Sequence, residues 1–334
     1  MLGVAEDHDA VATAVAALPA GQLESALVEA GGAAAVMRSA EEWAAHPQGI
    51  AIAREPLAHI VAPSAQASGT RRPRSGRPLA GLRVLDLTRV LAGPTATQAL
   101  AGWGADVLRI DPPEWDEPGV VPLVTSGKRT ARLDARNPPR RERLHRLVRE
   151  ADILVHGYRP GAMESLGLDE DTRAALNPTV IDVQLDAYGH TGPWRHRRGF
   201  DSLVQMSAGI ADTGMRDTGA AKPTPLPVQA LDYATGWLAA AAAIRAIHRH
   251  REHHVGTRLR LSLARTARLL EDARAQAPAE PSGVQPTIPP SAPFATAWGD
   301  ALLTEPPVAV GDIRLHWYRG PQPLGSDAAG WTHP

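Results

Sequence analysis

LRVLDLTRVLAGP, residues 82–94, decides the reading of this 334-residue chain. Leu82–Leu87 is a short apolar run bounded by Gly81 and by the polar pair Thr88-Arg89, which predicts a strand. Gly93-Pro94 then opens a helix, because proline suits the first helical turn, and the glycines at 102 and 104 end it. The pattern repeats downstream. Val107–Ile110 and Ala131–Leu133 read as strands, the charged stretch Pro139–Glu150 as a helix, and Ile153–Val155 and Val180–Val183 as further strands. Strands that alternate with helices at this pitch pair in parallel through crossover helices. The expected fold is therefore α/β, a Rossmann-like doubly wound parallel sheet. A helix near Asp201–Ile210, a long helix from Tyr233 to Arg251, a strand at Arg258–Leu263 and a helix to Gln276 complete this body.

Composition narrows the function classes. The chain is 43% hydrophobic and 21% charged, with 35 Lys and Arg against 36 Asp and Glu, so charge does not force disorder. A formal net charge of −1 argues against a dedicated nucleic-acid binder. With no cysteine, disulfides, thiolate zinc sites, iron–sulfur clusters and a cysteine nucleophile are excluded. The N-terminus, MLGVAEDHDA, carries acidic residues where a signal peptide has basic ones, and the most apolar run, Trp237 to Ile247, is too short to span a bilayer. A cytoplasmic protein with neither a membrane nor a nucleic-acid partner is expected.

Thirty prolines and thirty glycines are unevenly placed and locate the linkers. Residues 62–78 read as an exposed connector, and residues 277–293 as extended or disordered chain. The expected organisation is a small-domain fragment at 1–61, a linker at 62–78, the α/β body at 79–276, and a loose Pro-rich tail with a short strand element at 277–334. Within the fragment, Val11, Val15 and Leu18 share one helical face, and Leu23, Ala26 and Leu27 another. Ala34–Met37 reads as a strand, and Ser39 caps a helix holding Trp43. About 60 residues make a poor core alone, so this piece is expected to dock on the tail or on a partner chain.

Few residues carry chemistry. The turn after the first strand holds one glycine where a dinucleotide fingerprint needs three, so a nicotinamide site is not expected. His250 and His254 stand at i and i+4, but a basic helix C-terminus complementing the macrodipole explains them better, and no metal site is expected. More informative is PLPVQALDYATGWLAA, residues 225–240, in which Asp232 immediately precedes the longest apolar helix. An Asp there caps the helix and feels the positive end of its dipole. The same position favours an ionised carboxylate, as a nucleophile requires. Capping alone would suffice to explain it.

Seven segments together resemble the class III CoA-transferases, the CaiB/BaiF family that includes formyl-CoA and carnitine CoA-transferases. They are LAGLRVLDLTRVLAGP (79–94), GADVLRID (104–111), SGKRTARLD (126–134), ADILVHGYRPGAMESLGL (151–168), NPTVIDVQLDAYGHTGPWRHRRGFD (177–201), the stretch around Asp232, and GTRLRLSLARTA (256–267). The resemblance implies an Asp nucleophile, aligned with Asp232, that carries CoA from an acyl-CoA thioester to a carboxylic acid acceptor through anhydride and aspartyl-CoA intermediates. CoA is thus a substrate, and no cofactor is implied. The family's CoA positions fall on Arg89, Val90, Leu91 and Ala92 in the first turn, on the basic pair Lys128 and Arg129, and on Gly157 and Tyr158 beside the adenine. Ser165 stands where the family commonly has Arg, and Tyr188 falls in the loop lining the acyl site. Members form interlocked dimers, so a homodimer is implied.

The chain also departs from the pattern. Related racemases place a His before the Asp of a Gly-His-Asp motif, whereas this chain has Gly199-Phe200-Asp201, which favours a transferase. Residues 10–60 resemble the late part of the family's small domain and VGDIRLHWY (310–318) its opening strand, as if the order were circularly permuted. A catalytically impaired CoA-binding homologue and an acyl-CoA racemase or isomerase are the alternative readings.

Overall fold

The computed structural model describes residues 2–61, 76–253, 255–276, 291–304, 306 and 308–332. Most of the connector expected at 62–78, the segment 277–290 and His254 lie outside the described residues. In chain order the elements are α1 (His8–Ala16), α2 (Ala20–Glu29), α3 (Ala40–Ala45), α4 (Pro47–Arg54), β1 (His59–Val61), β2 (Arg83–Leu87), α5 (Ala92–Gly102) and β3 (Asp106–Asp111). There follow α6 (Val121–Val124), β4 (Arg129–Arg132), α7 (Pro138–Glu150), β5 (Ile153–His156), α8 (Ala162–Ser165), α9 (Glu170–Leu176), β6 (Ile181–Asp186), α10 (Asp201–Ser207) and α11 (Ile210–Thr218). Last come α12 (Ala230–His253), β7 (Thr257–Ser262), α13 (Leu263–Gln276), β8 (Ser291–Thr296), β9 (Gly299–Thr304), β10 (Ala309–Val310) and β11 (Ile313–Arg314).

The chain divides into two compact units, neither a consecutive block: residues 1–57, 186–231 and 262–275 in one, and 58–185, 232–261 and 276–334 in the other. The second unit holds a seven-stranded sheet in the order β1-β7-β6-β5-β2-β3-β4. β2 pairs in parallel with both β3 and β5, so the crossovers run to opposite sides of it and the doubly wound reading holds. Strand parity divides the core. Val84, Val107, Ile153 and Val155 face α5 and α12, whereas Leu85, Leu87, Leu108 and Leu154 face the side covered by Leu144, Leu147 and Val148 of α7. Strands covered on both faces read as near-continuous apolar runs, which is why these segments were legible. Small residues on α12, among them Ala239, Ala243 and Ala246, let that helix lie close to the sheet.

Two expectations change in this unit. Residues 59–61 belong to the main sheet, as β1 pairs antiparallel with β7. The tail is not loose over 308–332. His316 N–H donates to the Gly102 carbonyl at 3.1 Å, Asp327 N–H to Thr130 at 2.8 Å, and Leu315 is buried in the sheet's core. Of the strand element expected at 310–318, only the two-residue strands β10 and β11 form.

In the first unit the N-terminal piece docks on a loop of the same chain. Gln48, fully buried, donates to the carbonyls of Tyr188 and Thr191 at 2.7 and 2.9 Å and accepts from Trp194 N–H at 2.7 Å. Glu55 accepts from the amides of His190 and Thr191 at 2.9 and 2.8 Å. Glu24 pairs with Arg38 and Arg197 at 2.8 and 2.9 Å. Ser39 caps α3 through a full capping box with Glu42, as its sequence implies. Ala34–Met37 forms no strand; instead the Val36 amide bonds to Glu24 at 2.9 Å.

Candidate active site

In an open α/β sheet the crevice beyond the carboxyl ends of the strands opens where the crossovers reverse, here between β2 and β5. Residues 88–91 follow β2, and Gly157 and Tyr158 follow β5, so six of the expected positions, Arg89, Val90, Leu91, Ala92, Gly157 and Tyr158, come together there. The β2–α5 turn is tight. Val90 has φ 61°, the one positive φ of a non-glycine residue among those described. A β-branched side chain in that conformation stores about 1–3 kcal/mol and persists only where its surroundings over-determine it.

Those surroundings are a buried charge cluster. Asp86, near the end of β2, accepts from the Thr88 hydroxyl at 2.5 Å, the Thr97 hydroxyl at 2.6 Å and the Lys128 ammonium at 2.9 Å. Lys128 also donates to the Pro94 carbonyl at 2.8 Å, tying the start of α5 to β2. Burial pushes the Asp86 carboxyl up, but the Lys128 and Arg109 charges and the two hydroxyls override it and hold it below the usual carboxylate range. Burial lowers the Lys128 ammonium to about 8 despite Asp86. On β3, Arg109 makes a two-pronged pair with Asp111 at 2.8 and 3.0 Å and reaches Glu117 at 2.7 Å. The other Glu117 oxygen accepts the Val90 amide at 2.9 Å.

Above the turn, the Arg89 guanidinium lies 3.7 Å from the ring centre of Trp115 and 5.0 Å from that of Tyr158. Three donors in this neighbourhood, Arg89 Nε, Arg109 Nη1 and Trp115 Nε1, are buried without a hydrogen-bond partner among the described residues. Burial raises the Tyr158 phenol above its ordinary pKa, leaving it neutral.

Asp232 lies in the first turn of α12, as its third residue and not at the cap, and is buried. Gly236, one turn later on the same face, shows where that face points. A Cβ on Gly236 would stand 2.6 Å from the Ala92 carbonyl oxygen and 2.7 Å from Thr95 Cβ. Only glycine permits that approach, which packs α12 against Ala92 and Thr95 in the first turn of α5.

The remaining expected positions lie elsewhere. Lys128 offers no cation to a ligand in solution, because its ammonium is fully buried on Asp86. Arg129 opens β4 and pairs with Asp106, which opens β3, so its guanidinium is at the opposite edge of the sheet. Ser165 is exposed and turns its hydroxyl back on the Ala162 carbonyl at 2.7 Å. Tyr188 is a core residue of the other unit, its hydroxyl 3.0 Å from that of Ser207. His250 Nδ1 is 2.9 Å from the Val255 carbonyl, where it helps close α12. Sequence reasoning missed Asp86, Arg109, Trp115 and Glu117. The signal was the stretch PPEWDEPG after β3, which sets a tryptophan and three acids among prolines.

The model of the family described as CoA-transferase family III matches residues 79–303. The chain belongs to CoA-transferase family III. It is 37% identical over 190 residues to a probable fatty acyl-CoA transferase of Mycobacterium tuberculosis, covering 52% of this chain and 48% of that protein. It is 33% identical over 197 residues to the succinyl-CoA–D-citramalate CoA-transferase of Chloroflexus aurantiacus, covering 55% and 48%. A crystal structure of the mycobacterial protein superposes with a TM-score of 0.55 at 33% identity over 60% of this chain and 58% of that one. A CaiB/BaiF family protein from Brucella suis gives 0.53 at 28% identity over 69% and 66%. The chain spans about half the length of the curated relatives it matches.

Proposed function

We propose that this protein is a CoA-transferase in which Asp232 is the nucleophile and the β2–α5 turn, with Gly157 and Tyr158, holds the thioester-bearing arm of acyl-CoA. The observation that supports the reading is the approach of Gly236, one turn after Asp232, to Ala92 and Thr95 in the first turn of α5, which directly follows the β2–α5 turn. The positive end of the α12 dipole favours a negative charge at Asp232. The buried donors on Arg89, Arg109 and Trp115 suit a ligand rich in acceptors.

In the proposed cycle an Asp232 carboxylate oxygen attacks the thioester carbonyl carbon. The C–S bond breaks, CoA departs as the thiolate, and a mixed anhydride is left on the enzyme. The thiolate then attacks the aspartyl carbonyl and expels the donor acid as its carboxylate, leaving an aspartyl-CoA thioester. The acceptor carboxylate attacks that thioester, the thiolate leaves again, and its return to the acceptor carbonyl regenerates Asp232. Each step is nucleophilic exchange at an acyl carbon and requires no external oxidant or reductant. A cytoplasmic homodimer is the proposed setting, supported by the family resemblance.

Mass spectrometry of the protein after incubation with a panel of acyl-CoAs tests this. The wild type should carry a CoA-sized adduct on the peptide containing Asp232, and hydroxylamine should convert it to a hydroxamate. Asp232→Asn, nearly isosteric, should fold normally and show neither adduct nor turnover. Retained transfer in Asp232→Asn, or an adduct at another carboxylate, overturns the assignment.

A further inference from the structure

We infer that Glu117 is a positioning residue that holds the β2–α5 turn in the conformation required to seat CoA. Its functional half rests on the CoA-site reading above; its structural half does not. Val90 adopts its left-handed backbone with no glycine to ease it, and the Val90 amide is fixed at 2.9 Å by Glu117. The second carboxylate oxygen of Glu117 is fixed at 2.7 Å by Arg109, which is itself fully buried and braced on Asp111. One side chain thus spans from the centre of the sheet to the strained turn.

Glu117 arrives on a strap that is latched independently. Arg132, closing β4, donates from one nitrogen to the carbonyls of Pro112, Pro113 and Trp115 at 3.2, 2.6 and 2.7 Å. The same strap lays Trp115 on Arg89, which flanks Val90. Removing the carboxylate leaves Arg109 on Asp111 and the strap on Arg132, while the Val90 amide loses its anchor. The φ at Val90 then relaxes, and the backbone groups of residues 89–92 leave the geometry that the proposed thioester arm would meet.

The test is amide hydrogen exchange on the full-length protein, together with calorimetric titration of CoA, for wild type, Glu117→Gln and Glu117→Ala. In Glu117→Ala the Val90 amide should exchange at least tenfold faster, with β2 and β3 unchanged, and CoA should bind about tenfold more weakly, as expected for loss of a bond to a charged acceptor. Glu117→Gln keeps one acceptor and should fall between the two. Unchanged exchange in the turn overturns the inference. So does an equal rise across β2 and β3, which would mean a merely structural role, or a loosened turn with CoA affinity intact. Failure of the wild type to bind CoA overturns the CoA-site reading and the functional half of this role, and the exchange data still decide whether Glu117 holds Val90.

Discussion

Replacing Lys128 by Met separates two roles that its sequence context leaves confounded. Lys128 and Asp86 both have side chains with 0% exposure, and they meet at 2.9 Å. Without the ammonium, the Asp86 carboxylate keeps the Thr88 amide and the Thr88 and Thr97 hydroxyls as donors and the Arg109 charge at longer range, too little to hold a charge away from water. The carboxyl then takes up a proton. At pH 7, protonating a group whose ordinary pKa is 3.8 costs about 4 kcal/mol, in line with the ~3–5 kcal/mol that follows breaking a buried ion pair. The sign with pH follows. In Lys128→Met the folded Asp86 pKa rises above its unfolded value, so the variant is penalised least near pH 4 and increasingly as pH rises. Guanidinium unfolding at pH 4.5 and pH 7 should show a stability gap from wild type that widens to roughly 4 kcal/mol at neutrality. Adding Asp86→Asn should recover at least half of it. If Lys128→Met instead unfolds like wild type and merely loses CoA affinity in a salt-dependent way, the ammonium is a phosphate ligand and the buried-pair account is wrong.

Two further outcomes are expected. Gly236→Ala gains about 1 kcal/mol of helix propensity but must relieve contacts at 2.6 and 2.7 Å, so its stability should change by less than ~2 kcal/mol while turnover falls about 100-fold through displacement of Asp232; full activity would exclude the close approach as a requirement. Burial opposes ionisation of Asp182, yet His156 and Arg173, at 2.9 and 2.8 Å, hold its carboxyl at about 2. A folded pKa depressed in this way contributes stability that is present above pH 3.8 and lost towards pH 2, about 2 kcal/mol in all. The stability gap between wild type and Asp182→Asn should therefore shrink over that range, and a gap independent of pH between 5 and 2.5 would sink the assignment.

The parallel strands, the opening of α5 at Gly93-Pro94, the length of α12 and the family were legible in the sequence, because each depends on local patterning or on motifs in order. Apolar runs such as Leu82–Leu87 announce strands covered on both faces, and they formed within one to three residues of the expected ends. Burial and partner choice were not legible. Lys128 and Arg129 are adjacent and chemically alike, yet one ends in the core on Asp86 and the other at the far edge of the sheet on Asp106. Lys128 immediately precedes β4 and Arg129 opens it, and only the packed sheet decides which counter-charge each side chain meets. The same holds for Glu117, whose two partners lie 8 and 27 residues away, and for the N-terminal piece, whose Gln48 and Glu55 are joined to residues 188–194 by hydrogen bonds that no local pattern encodes. Local patterning was enough for the parallel strands of the body, the helices α5, α7 and α12 and the carboxylate in the first turn of α12, but not for Ala34–Met37 or for β1. Packing settled which charges are buried, which turn is strained and which face of α12 meets α5, because those depend on contacts between segments far apart in the chain.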